Sequence, residues 1–257
     1  MIASAKELRS ARMKLQRAKE HLGELILDHA RFTDPTTRNP YRMVAESDAT
    51  PGYTLWRAKI VEAPPLEKWG SLVGECVHAL RSALDHTAHM LVQINRPGSD
   101  YSEFPICKTR DRWRTDRKKK LPDVPGGALV EVQRLQPYKR GAEARFHPLW
   151  LIHNIDISDK HRRLNLVSPL VRNVELVTED CKVVDHEIFA GPFVDGTPIS
   201  RQRTEATGPN PRVRAEFAFD ITFGEGEPLE GEPVIERLHD LRLRAGRAVS
   251  LFEKFFL

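Results

Sequence analysis

The chain has 257 residues, 40% hydrophobic and 30% charged, with 40 Lys and Arg against 36 Asp and Glu. That length supports a sizeable core, as one large domain or one domain with an insertion, and a net charge of +4 permits a polyanionic partner without requiring one. Three scattered cysteines argue against a disulfide framework or zinc knuckle; with no apolar run of membrane-spanning length and no apolar signal core, a cytoplasmic protein is expected.

Ser4 followed by Glu7 forms a capping-box pattern, and Leu8, Ala11, Leu15, Ala18, Leu22, Leu25 and His29 repeat at spacings of three and four. A long helix to about residue 30 is predicted, packed along another long helix. Two extended runs follow, 41–45 and 53–61, joined by the turn Thr50-Pro51-Gly52 as a hairpin. Pro64-Pro65 opens a second long helix, 66–95, and Pro97-Gly98 stops it. Residues 101–125 read as irregular, 127–135 as a short helix and 142–158 as another helix. From Leu164 the character changes: runs at 164–167, 174–178, 182–188 and 213–222 are rich in β-branched residues, as in an antiparallel sheet. A last helix from about 233 carries Leu238, Leu241, Ala245, Ala248 and Phe252 on one face. The fold class is α+β: a helical bundle (1–163) with a β subdomain (164–230) inserted before a C-terminal helix (231–257) that completes it.

The most chemical segment lies on the second long helix. At about 100° per residue, Arg81, Asp85, His78, His89, Ser82 and His86 share an arc of roughly 140°. From Cys76 to Val92 there is neither Lys nor Glu, the usual residues of a solvated face, so the stripe is turned toward something other than bulk water. Arg81 and Asp85 also stand at the i,i+4 spacing of an ordinary helix ion pair.

Arg81 and His86, with four residues between them, resemble the motif of the HEPN superfamily, helical domains whose nuclease members carry an Arg and a His four to six residues apart. The resemblance implies a homodimeric, metal-independent endoribonuclease in which the ribose 2′-hydroxyl attacks the adjacent phosphate. Arg81 would neutralise that phosphate and His86 would move protons. His78, Ser82, Asp85 and His89 would support them. Two features depart from the family pattern: Ser82 follows the Arg, where Asn, Asp or His is common, and the motif lies on an early helix. A bacterial toxin or phage-defence effector is the corresponding biological role.

A second constellation, His153 to Arg163, places Asp156 and Lys160 on one helix face and ends in Lys160-His161-Arg162. Cations there complement the helix dipole, and Asp156, Lys160 and His161 could equally face the polar stripe. The basic run 110–120 offers Arg112, Arg114, Arg117, Lys118 and Lys119 for a nucleic-acid backbone and Trp113 for base stacking, or else forms a solvated loop. RNA is therefore the expected partner. No cofactor or metal is expected, since no H-E-x-x-H, Walker loop, G-x-G-x-x-G or G-x-S-x-G pattern is present. Two alternatives stand beside the nuclease: a non-catalytic binder of an anionic or phosphorylated ligand, and a metal-dependent hydrolase using Asp85 and His89.

Overall fold

The three-and-four repeat of the first predicted helix becomes the packing face of α1 (Arg9–Thr33), with Ala11, Ala18, Leu22, Leu25 and Phe32 buried. The computed structural model describes residues 8–34, 36–38, 40–162, 164–189 and 193–256, so the Ser4–Glu7 capping box lies outside the described residues. The chain then forms β1 (Tyr41–Ser47), β2 (Tyr53–Ile60) and α2 (Leu66–Asn95). α1 lies along α2, whose buried face runs through Trp69, Val73, Val77, Leu80, Leu84 and Leu91. Each such leucine contributes about 1.5–3 kcal/mol by leaving water. Phe32 meets Trp69 edge-on at 5.5 Å, and the Trp69 indole N–H donates to Asp28 at 2.8 Å, so the ring is buried with its polar tip satisfied.

Residues 110–120, expected as part of an irregular stretch, form a helix instead: α3 (Arg110–Lys120). Its N-cap Thr109 accepts the Arg112 backbone N–H at 3.2 Å, its only apolar anchor Trp113 is buried, and its last turn is wholly basic, as the helix dipole favours. α4 (Gly126–Arg134) matches expectation closely. The helix expected over 142–158 is divided: a 3₁₀ segment (Pro137–Phe146) kinks at Gly141, φ 56°, before α5 (Pro148–His161) begins with His147 as its cap and Pro148 at its first position. α5 and α6 (Val234–Ser250) complete the bundle against α2, and α6 also packs on α1.

The strands form two antiparallel layers. β3 (Leu166–Glu179) pairs with β6 (Arg212–Phe223), while β4 (Cys181–Ile188) and β5 (Pro198–Ala206) join the early hairpin in a sheet of order β1-β2-β5-β4. Thr54 faces Gln202 and Trp56 faces Ser200 across the β2–β5 seam. The hairpin assigned above to the bundle segment thus belongs, by pairing, to the sheet of the later segment. β5 is absent from the expected strands because its buried positions include Ser200 and Gln202, which break the apolar alternation. Ala58, Val174, Phe193 and Ile199 fill the space between the layers, and Tyr41, 5.9 Å from Phe32 and 4.5 Å from Phe219, links that core to the bundle.

Candidate functional site

Arg81 does not face an open groove. It is 4% exposed, and its guanidinium is spent on internal partners: both terminal nitrogens donate to the Phe104 carbonyl at 3.0 Å, and one of them also meets Glu103 at 2.7 Å and Asp85 at 2.9 Å. Asp85 in turn accepts the Phe104 backbone N–H at 2.9 Å. The expected i,i+4 pair is therefore real, and it serves as a clamp that fixes the 103–104 segment onto α2. Lys120, at the end of α3, closes the network on Glu103 at 2.9 Å and lies 3.7 Å from Asp116. Burial penalises the Glu103 charge, but Lys120 and Arg81 outweigh it and hold its carboxyl below the usual range. For Asp85 burial prevails over Arg81 and the Phe104 N–H, and its pKa rises.

His86 lies elsewhere. Its Nδ1 shares a hydrogen bond with the Ser10 hydroxyl on α1, and burial, with Lys14 and His89 adding to it, lowers its pKa. Arg81 and His86 are thus directed to different neighbours within one chain. His89 Nδ1 pairs with the Ser102 hydroxyl at 3.0 Å. Asp85 and His89, the pair named for a metal, hold these other partners through Oδ1 and Nδ1. Among the described residues no three His, Cys, Asp or Glu side chains are grouped as metal ligands.

His78, Ser82, Asp156 and Lys160 do come together. Asp156, buried on α5, accepts from His78 Nδ1 at 2.9 Å and from Lys160 Nζ at 2.6 Å. With the imidazole proton held on Nδ1, His78 Nε2 accepts from the Ser82 hydroxyl at 3.4 Å. The His78 side chain is 54% exposed while that of Asp156 is 4%, so a buried carboxylate orients a solvent-facing ring. α5 can approach this closely because Gly74, one turn before His78, leaves room for Asp159: a Cβ there would overlap its carboxylate. Burial, then Asp156, pushes the Asp159 pKa up. His161 stands exposed at the end of α5, and Arg162 meets Glu227 at 3.1 Å.

The basic helix joins the Arg81 network through Lys120 and Glu103. Trp113, expected to stack a base, is instead 3% exposed and part of the core. Arg112 pairs with Asp116 at 2.9 Å and Arg114 with Asp111 at 3.1 Å. Arg117, Lys118 and Lys119 meet no carboxylate among the described residues. Lys118 and Lys119 line a cleft of about 520 Å³ with Arg96, Ser99 and the exposed Tyr101, over whose ring Lys119 sits at 5.9 Å. Tyr101 is thus the exposed aromatic of this face.

Sequence reasoning passed over Glu103, took Lys120 only as the end of the basic run, and noted His153 only as a neighbour of Asp156 and Lys160 on one helix face. His153 lies between α5 and the Arg81 network: its Nδ1 is buried without a partner, and burial, then Arg81 and Lys120, lowers its pKa to about 4. Only its position three residues before Asp156 marked it. Comparison with protein-family models, curated proteins and solved structures finds no match.

Proposed function

We propose that this chain is an RNA-binding, metal-independent endoribonuclease with a HEPN-like bundle, whose acid–base group is His78. The supporting observation is the exposed His78 ring held by the buried carboxylate of Asp156, with Lys160 on the same carboxylate. A ring fixed through Nδ1 presents Nε2 to a reacting group, as acid–base chemistry requires. His78 Nε2 takes the proton of a ribose 2′-hydroxyl as that oxygen attacks the adjacent phosphorus. The bond to the 5′-oxygen breaks, the leaving oxygen takes a proton from water, the His78 imidazolium returns its proton to the resulting hydroxide, and Lys160 offsets the charge on the phosphoryl oxygens. α3 and Tyr101 carry the flanking strand through Arg117, Lys118, Lys119 and base stacking. A cytoplasmic homodimer acting as a toxin or phage-defence effector belongs to the same proposal; no helix is long and apolar enough to cross a membrane among the described residues.

The sequestered Arg81 favours a second reading, a non-catalytic binder of RNA or another anion on the α3 face. One experiment separates the two. Labelled single-stranded RNA is incubated with the wild-type protein and with His78→Ala and Lys118→Glu/Lys119→Glu variants, with and without chelator. The nuclease reading expects chelator-resistant cleavage, lost in His78→Ala with binding retained. Binding without cleavage supports the second reading, and absence of both overturns the proposal. Three unpaired cations predict a log–log salt slope near −2, shallower by about 1.4 in the double variant.

A further inference from the structure

On another side of the bundle, where the 3₁₀ segment and the start of α5 meet the end of α6, a small cleft of about 200 Å³ gathers three arginines and a histidine: Arg140, Arg244, Arg247 and His147. The rest of its lining is apolar, Leu135, Pro148, Leu149, Ala248 and Leu251, and no acidic residue lines it. Arg244 uses its Nε on Asp240 at 3.2 Å, leaving its terminal nitrogens; Arg140 and Arg247 meet no carboxylate among the described residues. His147 caps α5 by accepting the Leu149 backbone N–H on Nδ1 at 3.2 Å, so the neutral ring carries its proton on Nε2 and is a donor there. Three like charges placed around one cleft repel one another, and a bound dianion removes that repulsion.

We infer that this cleft is a binding site for a small organic phosphate, the phosphoryl group held by Arg140, Arg244 and Arg247 and a compact apolar body resting on Leu149 and Leu251. Planar guanidinium forks match phosphate oxygens in pairs. The volume is below the ~300–1,000 Å³ usual for drug-sized ligands, which restricts the body to roughly one small ring. His153 and Asp156 lie six and nine residues further along α5, about 9 and 13 Å at the helical rise, so the site is separate from that of His78.

The test titrates the full-length protein with inorganic phosphate and with phenyl phosphate by calorimetry, at ionic strength matched with sodium chloride. Saturable binding is expected, tighter for phenyl phosphate and weaker by about tenfold or more in Arg140→Gln/Arg247→Gln. Among the described residues Arg140 and Arg247 have no carboxylate partner to lose, and Arg244→Gln gives an independent variant. Lys118→Glu/Lys119→Glu should bind phenyl phosphate as the wild type does, whatever its RNA affinity. No saturable binding, equal affinity in both arginine variants, or equal affinity for the two phosphates would each overturn the inference.

Discussion

Replacing Arg81 by alanine separates the two roles open to it, because a phosphate-binding arginine and a buried clamp respond oppositely. The Phe104 carbonyl would lose both donors, a cost of about 1–3 kcal/mol for an orphaned buried acceptor. Asp85 would keep only the Phe104 N–H, and its pKa, already raised by burial, would climb further. Glu103 would keep Lys120 at 2.9 Å, which limits the damage on that side. Removing one member of a buried ion network costs about 3–5 kcal/mol in general, and the surviving Lys120 and N–H contacts place this case near 3–4 kcal/mol. For a chain of this size that is about 6–16 °C in Tm. Urea denaturation gives the value directly. A cycle with Glu103→Gln should be sub-additive by about 1 kcal/mol, since the two groups share one contact. The reasoning fails if Arg81→Ala unfolds within about 1 kcal/mol of the wild type while RNA affinity or cleavage collapses.

The two aromatic residues of the basic face should part company in the same way. Trp113→Ala should cost about 3–5 kcal/mol of stability with little effect on the RNA affinity of the folded fraction, whereas Tyr101→Ala should cost about 1–3 kcal/mol of RNA binding at unchanged Tm. Stability should also fall as the solution is acidified. His147 and His153 are held to about 4 in the folded chain, by burial and then by arginines, against 6.5 for an ordinary histidine. The unfolded chain therefore takes up protons first, and stability that is complete above pH 6.5 is lost progressively toward pH 4. Urea midpoints at pH 7, 6 and 5 measure this, and a His153→Phe variant should flatten the slope; a midpoint independent of pH would contradict it.

Where one physical signal dominated, the elements were legible. The apolar repeat of α1, the proline-bounded α2 and the β-branched runs of β3, β4 and β6 all reflect periodic burial, which sequence records directly. α3 escaped because its average polarity conceals a single anchor, Trp113, and a threonine cap. β5 escaped because Ser200 and Gln202 are among its buried positions, and its pairing with β2 joins residues as far apart in sequence as Tyr53 and Arg203. The α2–α5 seam was half legible. His78, Asp156 and Lys160 each sit on a recognisable helix face, but nothing in either helix states which faces meet. Glu103 and the Phe104 carbonyl, which consume Arg81, lie in a segment without period.

The absence of Lys and Glu from residues 76–92 of α2 pointed to a face turned away from bulk water; the structure covers Arg81 there but leaves the His78 ring solvent-facing, and what covers Arg81 changes the chemistry expected of it. A phosphate-clamping arginine needs an open guanidinium edge, whereas Arg81 is covered by the 103–104 segment and compensated by two carboxylates. The same burial that removes Arg81 from the candidate chemistry stiffens the helix one turn after His78. Arg81 fixes α2 to the loop, Asp156 fixes the His78 ring to α5, and Lys120 fixes the end of α3 to the same loop through Glu103. A site held from three elements keeps the histidine in one orientation without paying for its ordering at each encounter. Loosening any one of the three should lower the catalytic rate more than RNA affinity. Lys120→Met, which unties α3 while leaving Arg117, Lys118 and Lys119 in place, is the variant that shows whether the clamp and the acid–base group act together. Unchanged cleavage in Lys120→Met would mean that His78 depends on Asp156 alone.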